Sequence, residues 1–131
     1  PEKYFEGKKA VYVDAVHGSM LMVDGKKFLE AGGYDEGIFL YQEETVLASR
    51  LKNKGYRSLL VLDQMYRHEH SVSIKKSFKG QMDRQKLRHE SVLYYMKHYL
   101  GIGPVEEMIA NVWFAGILLE IRVAGMLGMK F

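Results

Sequence analysis

Apolar and polar positions come in short blocks along the first half of the chain and in longer helical periods along the second. The first ten residues are polar and charged and read as a loop. AVYVDAVHGSMLMV, residues 10–23, is rich in β-branched and apolar residues and predicts one or two strands. Gly18 interrupts it, as a bulge or where another backbone or a ligand comes close. Asp24 before GKKFLEA has the pattern of an N-cap, and Gly32-Gly33 that of a helix stop. A loop, YDEG, leads into the apolar run IFLY. From Gln42 the pattern turns helical: Leu47 and Leu51, four apart, share a face. Gly55 after Lys54 gives the stop, with basic residues in the last turn. RSLLVLD, residues 57–63, predicts a short apolar strand, and residues 65–74 a strand or an irregular segment. Residues 75–99 predict a long basic helix with Phe78, Met82, Leu87, Val92, Tyr95 and Tyr99 buried. Gly101, Gly103 and Pro104 break it, and residues 105–128 predict a last helix, apolar on most sides. Strands interleaved with helices point to an α/β layer architecture. Three or so short strands are few for a complete sheet of that kind.

Bulk properties narrow this picture only slightly. A chain of 131 residues fits one domain, and 47% hydrophobic residues suffice for a core. The net charge of +3 gives a mild preference for a phosphate-bearing or anionic partner. With no cysteine, a disulfide framework and a thiolate metal site are excluded. The opening PEKYFEGKKA lacks the apolar core of a signal peptide. The longest uncharged apolar run, residues 108–119, is shorter than the roughly 18 residues of a membrane-spanning helix. The last helix, with Trp113, Phe114, Ile117, Leu118, Ile121 and Met126, is nevertheless too apolar to stand in water on all sides. Packing within protein is the expectation, with a second copy or a membrane interface as alternatives. In the basic helix, Lys75, Lys76, Lys79, Arg84, Lys86, Arg88 and Lys97 outnumber Asp83 and Glu90. Such a helix suits phosphates or an anionic membrane surface, or is simply a solvated face. Nucleic-acid binding would want a stronger bias and exposed stacking aromatics, and is set aside.

Two spots carry candidate chemistry. Asp35-Glu36 and Glu43-Glu44 flank the run Phe39-Leu40-Tyr41. Neighbouring helix residues point about 100° apart, so Glu43 and Glu44 cannot both face one cleft. A carboxylate in a first helical turn is held ionised by the free N–H groups there, which suits a base; the same physics also favours acids that merely stabilise a helix start. Asp35-Glu36 after two glycines reads equally as a polar turn. In HEHSVS, His68 and His70 share a face if the segment is extended, and two imidazoles can hold a divalent metal. His17 reads as a structural histidine. His89 and His98, on the basic helix, are expected to face solvent or an anion.

The order of these pieces carries a resemblance. A strand with Gly18-Ser19 is followed by Gly33-Tyr34-Asp35-Glu36, then Phe39-Leu40-Tyr41, then Glu43-Glu44 opening a helix. Gly55-Tyr56, an apolar strand, and His68-Glu69 with Ser73 come after. Over residues 10–100 this resembles the C-terminal half of family 2 glycosyltransferases with the GT-A fold, notably the rhamnosyltransferase-like members of bacterial polysaccharide synthesis. The family typically has Glu-Asp-x-Asp-Leu where this chain has Glu43-Glu44-Thr45-Val46-Leu47; Leu47 and Arg50 still fit.

The resemblance implies inverting transfer of a sugar from a nucleotide-diphosphate donor to a saccharide or lipid-linked acceptor. It implies Glu44 as general base, with Glu43 the acid before it. It implies a divalent ion, Mn²⁺ or Mg²⁺, with His68 at the metal or diphosphate and His70 as the fallback. Asp35 and Glu36 would shape the acceptor side. Ser73, Lys75 and Lys76 would contact diphosphate, and Gly18 would sit where the backbone approaches the sugar. It also implies a cytoplasmic location, reaching the inner face of the cell membrane. Residues 1–100 would be the acceptor-side portion of the domain and residues 101–131 a helix for packing, self-association or membrane contact. The family's nucleotide-binding units and Asp-x-Asp motif are not found here, and the chain begins at Pro1. The expectation is therefore an excised portion of an enzyme, inactive alone, with apolar sheet surface exposed and a tendency to self-associate. Two other readings compete. A docking or assembly module would leave Glu43 and Glu44 exposed and far from the histidines. A small metal-dependent hydrolase would use His68 and His70 with a third ligand.

Overall fold

A computed structural model describes residues 5–67 and 80–128. In chain order it contains β1 (Ala10–Val13), a 3₁₀ turn (Gly18–Met20), α1 (Gly25–Glu30), α2 (Glu43–Asn53), β2 (Ser58–Val61), α3 (Gln81–His98) and α4 (Pro104–Met126). Among the described residues this is a mixed α/β structure with four α-helices and one two-stranded sheet. The chain divides into two compact units, Pro1–Gly37 with Gln42–His70, and Ile38–Tyr41 with Ser71–Phe131. By contacts, α3 groups with α4 in the second unit.

In the first unit, β1 and β2 pair antiparallel in the register Ala10↔Val61 to Val13↔Ser58. Only the start of the 10–23 stretch is a strand. From His17 the side chain captures the backbone: His17 Nδ1 accepts from the Ser19 N–H at 3.1 Å and turns the chain into the 3₁₀ segment. Such local side-chain bonds compete with a ladder. Asp24 caps α1 as expected, its Oδ1 accepting from the Lys26 and Lys27 N–H groups. Two helices of this unit end in the same way. The Gly33 N–H reaches Phe28 O after α1, and the Tyr56 N–H reaches Leu51 O after α2. Gly32 (φ 85°) and Gly55 (φ 82°) make both closures, a left-handed step that glycine takes without a Cβ clash.

The core of this unit is small. Val46 and Leu47 of α2 are fully buried, joined by Ala48, Val11 and Ala31. β2 is apolar on both faces, as in strands sandwiched between layers. Here Leu59, Leu60 and Val61 are 50%, 38% and 48% exposed. Apolar sheet surface is therefore open, as expected.

In the second unit, α3 packs along α4. Ile38 is buried here, and the Ser91 hydroxyl donates to Leu40 O at 2.5 Å, so the IFLY run is an irregular segment bonded to α3. Of the positions expected to be buried on the basic helix, Met82, Leu87, Val92, Tyr95 and Tyr99 are only half-buried, and Phe78 lies outside the described residues. His89 corrects the expectation of a solvent-facing ring. It is 8% exposed and stacks on Phe114 with ring centroids 4.1 Å apart. The Gln85 amide donates to His89 Nε2 at 2.7 Å, while Nδ1 is buried without a partner among the described residues. The helix turns this ring inward because its other stacking surface, α4, offers an aromatic face. Among the described residues, packing covers only one side of α4: Ala110 and Ala124 are buried, but Trp113 is 71% exposed.

Burial, and then the charge of Arg88, push the His89 pKa below its ordinary 6.5. Above 6.5 the ring is neutral in both folded and unfolded chains. Below it the unfolded chain takes up the proton first, so stability present above 6.5 drains away as pH falls towards the lowered folded value. His89→Phe should keep the stack and remove this part of the pH dependence. Denaturant melts of both proteins at neutral pH and well below 6.5 should show a smaller acid loss in the variant.

Candidate functional site

The chemistry-bearing residues of the first unit gather where the 3₁₀ turn meets the first turn of α2. His17 holds the turn, with the Ser19 hydroxyl 2.8 Å from its Nδ1. The same hydroxyl bonds the Tyr66 hydroxyl, tying the turn to the chain that follows β2. Gly18 lies against Glu44. A Cβ on Gly18 would stand 3.7 Å from Glu44 Cδ and Oε2, ordinary van der Waals contact. The glycine thus marks a close approach, and the group that approaches is a carboxylate.

Glu43 and Glu44 open α2 behind an unusual N-cap. Tyr41 and Gln42 both have φ of 67°, and Gln42 makes no side-chain capping bond. Left-handed non-glycine residues in succession cost about 1–3 kcal/mol each and persist where the surroundings fix them. Both glutamates are half-buried rather than exposed, contrary to what the docking-module reading expects. Their roles diverge, as adjacent helix positions require. Glu44 leans on Gly18. Glu43 keeps Oε2 buried without a hydrogen-bond partner among the described residues. Burial pushes its pKa above the ordinary 4.5; its own backbone N–H opposes the rise, the charge of Glu44 adds to it, and His17 works against it.

Asp35 and Glu36 separate as well. Asp35 Oδ2 pairs with Arg50 Nη2 at 3.0 Å, and its Oδ1 accepts from the Gly37 N–H at 2.9 Å. The other arm of Arg50 donates to Gly32 O and Gly33 O at 3.0 and 3.2 Å. Asp35 is thereby committed to shaping the loop, and Glu36 is exposed. His68, His70, Ser73, Lys75 and Lys76 lie outside the described residues. Among the described residues no group of three histidine or acidic side chains could hold a metal.

His17, read as a structural histidine, closes the local turn through Ser19. Sequence reasoning missed the role of Arg50, noting it only as a match of residue type, since nothing local reveals a reach of eighteen residues back to Gly32. Comparison with protein-family models, with curated proteins and with solved structures finds no match for this chain.

A half-buried ionised glutamate with an unpartnered oxygen is a cost to the fold. A folded pKa above 4.5 means that stability falls as pH rises from there through the folded value. Glu43→Gln should therefore be more stable than the parent at neutral pH, with the gain vanishing below 4.5, where both states of the parent are protonated. Chemical melts across that range check it; equal stability at all pH values would mean that Glu43 is solvated.

Proposed function

We propose that this chain is the acceptor-side portion of an inverting glycosyltransferase with a GT-A-like fold, and that Glu44 is its general base. The observation that carries the reading is the meeting of Glu44 with the backbone at Gly18, beside a buried second carboxyl on Glu43. The motif order Gly-Ser, Gly-Gly-Tyr-Asp-Glu, Phe-Leu-Tyr and Glu-Glu supplies the reaction class. The half-exposed, doubly apolar β2 supports a sheet with further strands or layers around it.

In this reading an acceptor hydroxyl, on a saccharide or a lipid-linked acceptor, is hydrogen-bonded to the Glu44 carboxylate. As its oxygen forms a bond to the anomeric carbon, its proton passes to Glu44. The bond from that carbon to the diphosphate oxygen breaks on the opposite face, and its electron pair leaves with the nucleoside diphosphate. Gly18 leaves the space in front of the carboxylate open, since even a Cβ there would touch Glu44. Glu43 holds charge near the base, and His17 tempers it. Arg50 and Asp35 fix the loop after α1, leaving Glu36 as the exposed member of that acid pair on the acceptor side. A divalent ion such as Mn²⁺ or Mg²⁺ would stabilise the departing diphosphate. Among the described residues no cluster of histidine or acidic side chains forms a site for it.

A second reading, a non-catalytic docking module, draws on the uncovered side of α4. One experiment separates the two. Release of nucleoside diphosphate is measured from a panel of nucleotide sugars, with acceptor, using the complete gene product that carries this sequence. Glu44→Gln should lower turnover about 10²–10⁴-fold while leaving donor affinity unchanged. Neither release nor donor binding with any nucleotide sugar would move the docking module ahead.

A further inference from the structure

The residues on either side of Gly18 bond to each other across it. The Ser19 N–H and the Ser19 hydroxyl both reach His17 Nδ1, at 3.1 and 2.8 Å. A backbone N–H can only donate, so Nδ1 presents its lone pair here. The serine hydroxyl at the same nitrogen therefore donates as well. Its proton is then engaged, so the bond between the Ser19 and Tyr66 hydroxyls runs from tyrosine to serine. Donation thus has one direction, from Tyr66 through Ser19 to His17. Tyr66 lies forty-seven residues beyond Ser19 and anchors this ring of bonds to the chain after β2. Glu44 of α2 meets the glycine that the ring encloses.

We propose that His17 is a positioning residue for the Glu44 carboxylate, acting through the turn that it closes over Gly18. The inference rests on the reading of Glu44 as general base. A glycine makes room for the carboxylate, but its backbone is the least restrained of any residue. Restraint at Gly18 has to come from its neighbours. Packing does not supply it, because the three-residue 3₁₀ turn contains no buried residue. The sheet does not supply it either, because β1 ends at Val13. The bonds from Ser19 to His17, anchored by Tyr66, hold the glycine from both sides. Across the contact, Gln42 gives α2 no side-chain cap, so the first turn of α2 gains no local restraint there. What the turn needs from residue 17 is an acceptor at the place of Nδ1. Asparagine carries Oδ1 at that place along its side chain and is among the favoured caps. It would keep the acceptor while removing the histidine charge that acts on Glu43.

The test uses His17→Ala, His17→Asn and a control, Asp24→Ala, which loosens the cap of α1 instead. Each is made in this chain and in the complete gene product that carries it. In the complete product, His17→Ala should lower kcat about 10²-fold and leave the KM for nucleotide sugar unchanged, because a misplaced base costs rate rather than donor binding. His17→Asn should recover most of that loss, and Asp24→Ala should show none of it. In this chain, the NMR signals of the Glu44 carboxyl and the Gly18 amide should shift in His17→Ala and return in His17→Asn. Tyr66→Phe removes only the anchoring hydroxyl and should shift the same signals, which keeps the test in hand if His17→Ala does not fold. A Glu44 signal unmoved by both variants overturns the inference whatever the activity. So does a shifted signal with parental kcat, or a loss of kcat that asparagine does not recover. Absence of transfer by the parent would instead remove the glycosyltransferase reading, and the NMR signals would still decide whether His17 places Glu44.

Discussion

The first unit depends on one guanidinium. Arg50, in the last turn of α2, reaches back to the carbonyls of Gly32 and Gly33 and to the carboxylate of Asp35. Those carbonyls belong to the residues that close α1, and Asp35 turns the chain toward Gly37. Three acceptors in one planar fork suit arginine and no other side chain. With a core of little more than Val46, Leu47 and a few small neighbours, this clamp supplies much of the specificity that packing does not. It fixes α2 against the loop behind it, and so fixes where Glu43 and Glu44 stand.

From that fixed helix the site follows in short steps. The capping residue ahead of Glu43 is left-handed and gives no side-chain bond, and Glu43's own backbone N–H acts on its carboxyl. Glu44 then meets the backbone at Gly18, held in place by the His17–Ser19–Tyr66 chain of hydrogen bonds. Glu43 keeps an oxygen out of water. That oxygen is a cost to the fold, and the cost supports the proposal that the pair is a working site.

Much of this was legible in the residues. Asp24, Gly32 and Gly55 announced helix ends because capping is local chemistry, and the two strands of the sheet fell within stretches read as strands. The divergence of Glu43 from Glu44 followed from helix geometry alone. Three features were not legible, two of them because they depend on residues far apart in sequence. The stretch after Val13 left the sheet because His17 bonds Ser19, against a composition that favours strand. His89 turned inward because Phe114, twenty-five residues on, offers a ring to stack against. The reach of Arg50 to Gly32 has no local signature at all. Likewise, the apolar character of α4 was plain, but that α3 covers only one side of it is a fact of packing.

The claim on which the rest turns is that the opening of α2 is held away from water. Carbon-detected NMR titration of the Glu43 carboxyl tests it most directly, with His17→Ala alongside. The account predicts a midpoint above the ordinary 4.5, moving higher still when His17 and its opposing charge are removed. A midpoint at or below 4.5, unmoved by that substitution, would make these carboxylates a solvated helix start and contradict the account.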